Sequence, residues 1–381
     1  MPRALLVFEP PDGGVAEHVL QLATRLSGQG VQVSVAGPAE SVIYPTLEAA
    51  GVPFQRLAFG RSLRPGPYGR ALAQLRSLAA SGEHDLVHVH SSKAGALARV
   101  AARSAGVPVV YTPHCFPFIG PQTRRRRALS AAAEALLARI TDAIVCVCED
   151  ERRQALAMRT ASPARLHVIH NGSPDCAPPD APDAALAAWT ADGPAAACVT
   201  VLRRQKGVDV FLRSVPRILA AVPDARLAVV GQGPEAEPLR ALAAQLGLGD
   251  RVGFFDFLAP AARPLAELDV FVLPSRWEAF PISVLEAMAC GVPQVATDVG
   301  GTGEAVQEGV TGRLCPPDDP EALAAAVIDL LRSAERRTAM SAASRARHAE
   351  RFTAERMVAA TAALYRQVLS DRAGRPASLP L

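Results

Sequence analysis

Short continuous apolar runs recur along the chain. Each is followed by a Gly- or Pro-bearing turn and then by apolar residues at helical spacing. Ala4 to Phe8 is the first run; Glu9-Pro-Pro-Asp-Gly-Gly follows, and Val19, Leu22, Ala23 and Leu26 then share one face of a helix over Val15 to Leu26. Val31 to Ala36 is the next strand. Strand, glycine turn, helix, strand is a βαβ unit, and uninterrupted apolar strands suit a parallel sheet covered on both faces. The alternation continues through strands at Asp85 to His90, Pro108 to Thr112, Ala143 to Cys148 and Leu166 to Ile169. The spacing predicts helices over Arg70 to Ala80, from the Ser91–Ser92 cap to Ala105, and over Glu149 to Met158. Leu47 to Phe54 reads as a short helix and a turn into a strand, and Arg61 to Tyr68 as a loop.

A second series begins with Ala195 to Leu202 and repeats the scheme. Its strands are Arg226 to Val230, Val252 to Phe257, Val270 to Leu273 and Gln294 to Thr297; helices follow over Glu321 to Leu331, Glu335 to Ala349 and Ala354 to Leu369. Between the two series, residues 173–194 hold five Pro and four Asp, the composition of a linker. The expected division is therefore an N-terminal domain over 1–172, a linker over 173–194 and a C-terminal domain over 195–350. A closing helix over 351–370 and a frayed tail over 371–381 complete it.

Composition narrows the class. The 381 residues are 49% hydrophobic and 20% charged, which is globular rather than disordered. Forty basic residues against 37 acidic leave +3, which argues against a nucleic-acid binder. The Cys count is seven, odd, with no C-x-x-C, and favours a reduced, cytoplasmic setting over a disulfide framework. No ligand cluster for a metal stands out along the chain. No signal peptide is expected, and no uncharged apolar run approaches the roughly 20 residues of a membrane span.

Candidate chemistry lies in the turns after strands, where open parallel sheets bind ligands. After Val270 to Leu273 comes a loop over Ser275 to Phe280. Pro281 then suits the first turn of a short helix, Gly291 its C-terminal cap, and Pro293 forbids continuation. Glu278 sits in the loop and Glu286 about a turn into the helix. Carboxylates accept hydrogen bonds from sugar hydroxyls, and a helix N-terminus favours a phosphate-bearing ligand. Arg203-Arg204-Gln205-Lys206-Gly207 offers cations to a diphosphate, and Gly13, Gly14, Gly231 and Gly233 let a ligand approach the backbone. Taken singly, each of these also fits an ordinary surface role. His18 reads as a helix-surface residue without chemistry, and His88 and His90 as structural, with no third ligand beside them. Arg124 to Arg127 is either a solvated face or a contact for an anionic membrane surface or lipid phosphate.

The combination resembles a known family. Glu278, Phe280, Pro281, Leu285, Glu286, Ala287, Met288, Ala289, Gly291 and Pro293 match the E-x7-E motif of retaining GT-B glycosyltransferases of the group 1, family 4 class. Asp-Leu-Val-His-Val-His, Ser-Ser-Lys-Ala-Gly and Thr-Pro-His-x-Phe-Pro-Phe recur, in this order, in bacterial polysaccharide glycosyltransferases. The resemblance spans roughly residues 3–370. It implies an α/β, GT-B fold: two doubly wound parallel-sheet, Rossmann-like domains facing a cleft, with the last helix crossing back to the N-terminal domain. It implies transfer of a sugar from a nucleotide-diphosphate sugar, UDP- or GDP-linked, to a glycan, lipid-linked or small-molecule acceptor, with retention and without a cofactor. No Asp-x-Asp metal motif is found, so metal independence is expected. By the resemblance, His114, Arg203, Lys206 and Glu278 carry catalysis. Gly13, Gly14, Gly231, Gly233, Phe280, Pro281, Ile282 and Glu286 bind substrate, Glu286 at the ribose. The location implied is cytoplasmic, peripheral at the inner face of the membrane if Arg124, Arg125, Arg126 and Arg127 dock there. Three positions depart from the pattern: Cys115 and Gly303 replace a Gly and a Pro, and Val201 stands where the family has an Arg; either Arg203 takes that role by reaching from the loop, or the donor is bound differently or activity is weak. Another GT-B nucleotide-sugar enzyme (epimerase or hydrolase) and a non-catalytic nucleotide-sugar binder are the alternatives.

Overall fold

The computed structural model describes residues 1–59, 65–177, 183–256 and 260–374. They form two compact units: Met1–Asn171 with the C-terminal segment from Ala354, and Gly172–Thr353. In the first unit β1 (Arg3–Val7), β2 (Gln32–Pro38), β3 (Phe54–Leu57), β4 (Leu86–His90), β5 (Val109–Thr112), β6 (Ala143–Cys146) and β7 (Leu166–Val168) make one sheet. The order is β3-β2-β1-β4-β5-β6-β7, and every pairing is parallel. Alternate residues of β1 serve its two faces. Leu6 packs with Val19, Leu22 and Val35 on one side; Leu5 and Val7 pack with Val87, Ala98 and Tyr111 on the other. The helix Ala354–Ala373 adds Met357, Val358 and Tyr365 to the first of these cores.

The second unit contains β8 (Ala195–Val199), β9 (Arg226–Val230), β10 (Val252–Phe255), β11 (Val270–Leu273), β12 (Gln294–Thr297) and β13 (Gly312–Cys315). The order is β10-β9-β8-β11-β12-β13, again parallel throughout. Phe211, Leu212 and Val215 of the Val208–Ala221 helix and Val327 and Leu330 of the Pro320–Leu331 helix cover it. Strand order reverses between β1 and β4 in one unit and between β8 and β11 in the other. At such switch points the loops leave the sheet in opposite directions and open a crevice at the carboxyl ends.

Some boundaries differ from expectation. The stretch over 173–194 contains a helix, Ala184–Thr190, capped by Asp183, whose carboxylate accepts from the Ala185 and Leu186 N–H groups. Its Ala-rich run has high helix propensity, and Trp189 docks it by donating to the Leu227 carbonyl. Residues 178–182 lie outside the described residues, as do 61–64 of the expected Arg61 to Tyr68 loop, 257 of the expected strand and 375–381 of the expected tail. The helix after that loop begins at Pro65, and the last helix continues to Ala373. Cys176 and Cys290 form a disulfide, where a reduced setting was expected to fit better than a disulfide framework. Among the described residues no helix is long and apolar enough to cross a membrane.

Candidate functional site

Each unit concentrates chemistry at its switch point. In the second, β8 runs into the loop carrying Arg203 to Gly207 and β11 into the loop carrying Pro274 to Phe280. Gly207 is left-handed at φ 63°, and a Cβ there would lie 2.0 Å from the Pro274 carbonyl oxygen, so glycine lets the two loops touch. Gln205 Nε2 donates to the Trp277 carbonyl at 2.9 Å, and Arg276 N–H donates to the Gln205 carbonyl at 2.8 Å. The Arg276 guanidinium binds both Asp209 oxygens at 2.8 Å, the Arg204 carbonyl at 2.8 Å and Asp318 at 2.7 Å. Burial pushes the Asp209 carboxyl up, but hydrogen bonds from Arg276 and Arg213 outweigh it and hold the group below the usual range.

This frame brings Lys206 Nζ to 2.6 Å from Glu278 Oε1, and Ser275 Oγ donates to the same oxygen at 2.7 Å. Glu278 is only 6% exposed. An ammonium beside an acceptor-only carboxylate at strand ends can meet an anion and a hydroxyl-bearing group together. The Ile282–Cys290 helix follows, with Pro281 as its N-cap rather than its first helical residue and Gly291 as a left-handed C-cap. Phe280, Pro281 and Ile282 are buried, so a ligand at this helix N-terminus meets backbone rather than their side chains. Glu286 is half-buried on that helix. Gly231 and Gly233 lie just beyond β9; a Cβ at Gly231 would fall 1.9 Å from the Thr200 carbonyl oxygen. Arg203 is exposed at the start of its loop, and Val201 is half-buried two residues earlier.

In the first unit Gly13 and Gly14 open the helix Gly13–Arg25 at the carboxyl end of β1. His114 lies two residues past β5, and both it and Cys115 have positive φ, 54° and 107°. Glu151 holds this bend: Oε1 accepts from Cys115 N–H and Oε2 from Val147 N–H, each at 2.8 Å. His18 is buried rather than on the helix surface, because its Nδ1 turns inward to Asn171 Oδ1 at 3.0 Å. His90, read from sequence as structural without a third ligand beside it, has its Nδ1 3.0 Å from His114 Nε2. His18, His90 and His114 each offer one nitrogen within 4.8 Å of the others. His88 is packed beside them, its two nitrogens bonded to Tyr365 Oη and Thr112 Oγ1. Burial pushes the His18 imidazole down to about 4 and the other three well below their ordinary range, so the group is neutral at pH 7.

An open cavity of about 750 Å³ adjoins the ends of β1 and β2, lined by Glu9, Asp12, Glu40, Val42 and Phe59 among others. Glu9 Oε2 is buried there without a hydrogen-bond partner, and burial raises its carboxyl against the opposing charge of Lys93. Arg124 to Arg127 are exposed at the start of the Arg124–Ala138 helix, and Leu129 and Leu136 are exposed farther along it. Sequence reasoning missed Ser275, Arg276, Asp209, Glu151 and Glu9. Most of their partners are distant in sequence; the local ones, Ser275–Glu278, Asp209–Arg213 and Glu151–Val147, lie three or four residues apart.

The chain was compared with known proteins. The family described as Glycosyl transferases group 1 matches residues 188–347, and the family described as Glycosyl transferase 4-like domain matches residues 13–172. The chain is 31% identical to a D-inositol 3-phosphate glycosyltransferase of Catenulispora acidiphila, over 96% of this chain and 93% of that one. It is 31% identical to a protein of the same name from Mycobacterium tuberculosis, over 94% and 80%. Among solved structures, sucrose-phosphate synthase from Thermosynechococcus elongatus superposes with a TM-score of 0.83 at 22% identity, over 97% of this chain and 100% of that one. The Anabaena HepE protein in complex with UDP and glucose gives 0.80 at 19%, over 98% and 99%. These likenesses show the GT-B fold. Fold, motif order and full-length similarity agree: the chain belongs to the group 1, family 4 glycosyltransferases and is a glycosyltransferase.

Proposed function

We propose that the enzyme moves a sugar from a UDP-sugar to a hydroxyl acceptor with retention of anomeric configuration, and without a divalent ion on the diphosphate. The observation that carries this reading is the Lys206–Glu278 contact at the β8/β11 switch point. Lys206 and Arg203 neutralise the departing diphosphate; Glu278 accepts from donor hydroxyls; Glu286 accepts from the ribose. The donor thus belongs to residues 195–350 and the acceptor to residues 1–172, where Gly13, Gly14 and His114 serve the sugar. His114, neutral, accepts from a sugar hydroxyl. No dedicated nucleophile is assigned. A donor phosphate oxygen takes the acceptor proton on the face the diphosphate leaves, and the protein contributes positioning and charge stabilisation.

Neighbours of the fold were solved with UDP and UDP-glucose, which favours UDP over GDP as the base to try first. The relatives' names make an inositol phosphate the first acceptor to try, ahead of glycan and lipid-linked acceptors. The exposed Arg124 to Arg127 and Leu129 suit an anionic membrane surface. The test is a UDP-sugar panel with polyol, glycan and lipid-linked acceptors, with product anomers assigned by NMR. An α-linked product from an α-donor supports the reading, and inversion contradicts it. A dependence of turnover on added Mg2+ or Mn2+ contradicts metal-free departure. UDP binding with no turnover on any acceptor favours the non-catalytic alternative that Val201 raises.

A further inference from the structure

His18, His90 and His114 come from the helix after β1, the last residue of β4 and the loop after β5. One nitrogen of each lies within 4.8 Å of the other two. An amide oxygen only accepts, so the 3.0 Å contact to Asn171 Oδ1 places the His18 proton on Nδ1 and leaves the Nε2 lone pair available. His90 is fully buried, and the nitrogen it turns to His114 is Nδ1. His90 Nδ1 and His114 Nε2, 3.0 Å apart, must share either a proton or a cation. His88 is committed to Tyr365 and Thr112 and takes no part.

We infer that His18, His90 and His114 form a binding site for a divalent ion of the zinc class, with three imidazole ligands and a fourth position open. Zn–N bonds of about 2.0–2.1 Å place tetrahedral ligands roughly 3.4 Å apart. The widest pair, no more than 4.8 Å apart, therefore closes by about 1.4 Å or less on binding. Imidazole donors select Zn2+, Cu2+ or Ni2+ over Mg2+ and Ca2+, so this site is chemically separate from any diphosphate-bound ion. Asn171 supplies the outer acceptor that fixes a ligating imidazole in place. His114, half-buried, is the side from which an ion enters. Because the transfer reading gives His114 to the sugar, a filled site removes that acceptor and slows transfer; this last step alone rests on that reading.

The test is titration of the untagged, chelator-treated chain with Co2+, followed by displacement with Zn2+. One Co2+ per chain with the visible absorption of a tetrahedral site is expected. His18→Ala and His90→Ala should each abolish that absorption, Asn171→Ala should weaken binding about 10–100-fold, and His84→Ala, outside the cluster, should leave it intact. Circular dichroism and melting of the metal-free variants establish that they fold. Absence of the tetrahedral spectrum in the wild type, or its survival in both histidine variants, overturns the site. If Zn2+ binds with the expected pattern and the transfer rate does not fall, the metal site stands and the sugar contact of His114 is what fails.

Discussion

Glu151 shows how single residues set the first unit's site. A positive φ at a non-glycine residue costs roughly 1–3 kcal/mol, and His114 and Cys115 carry two in succession. The family's usual Gly at position 115 relieves the second; this chain has Cys and compensates with the Glu151 carboxylate, which takes the Cys115 N–H. Burial pushes the Glu151 carboxyl up to about 7, against the hydrogen bonds from Val147, Cys115 and Phe116 N–H groups. A raised folded value means the folded chain holds the proton more tightly than the unfolded one. Glu151 thus contributes stability that is full below about 4.5 and is lost as pH rises to about 7. The melting-temperature difference between wild type and Glu151→Gln should fall across that window and stay level above it. A flat difference across the window would contradict the assignment. The hold on Cys115 was not legible locally, because Glu151 lies 36 residues away.

At the scale of elements, the Arg124–Ala138 helix runs against its own electrostatics. Four Arg occupy the end where the macrodipole is positive, a cost of about 0.3–1 kcal/mol per charge at low salt. Leu129 and Leu136 stand 72% and 63% exposed on the same helix. The proposed anionic surface would offset the first and cover the second. Replacing Arg124 to Arg127 with Ser should weaken binding to phosphatidylserine-containing vesicles by roughly 1 kcal/mol per Arg, measured by co-sedimentation; unchanged binding would remove the membrane role. The Ile282–Cys290 helix has a different dependence. Its last residue is tied to Cys176 across a sequence separation of 114. A disulfide stabilises typically by about 2–4 kcal/mol, and a loop of that length falls at or just above the top of that range. Cys176→Ser should lower urea stability by that amount, and dithiothreitol should then have no additional effect on the variant. The cysteines could not be paired from sequence, since neither stands in a spaced motif.

Over the whole molecule, the alternating architecture was readable because parallel strands buried on both faces become bare apolar runs such as Ala4 to Phe8 and Val270 to Leu273. The helix Ala184–Thr190 was obscured by the Pro and Asp around it. The Glu278 side of the proposed donor site is carried contiguously by one strand, loop and helix, which is what let the sequence single it out. The Lys206–Glu278 pairing, 72 residues apart, and the gathering of His18, His90 and His114 depend on strand order and left no local trace. We propose that Lys206 and Glu278 act on the donor together. The most direct measurement is kcat/KM for transfer from a UDP-sugar by wild type, Lys206→Ala and Glu278→Ala, each first shown by circular dichroism to be folded. Loss of such charge stabilisation costs about 100–1,000-fold; a fall of at least that size in both variants is expected, and wild-type turnover by either folded variant would contradict the account.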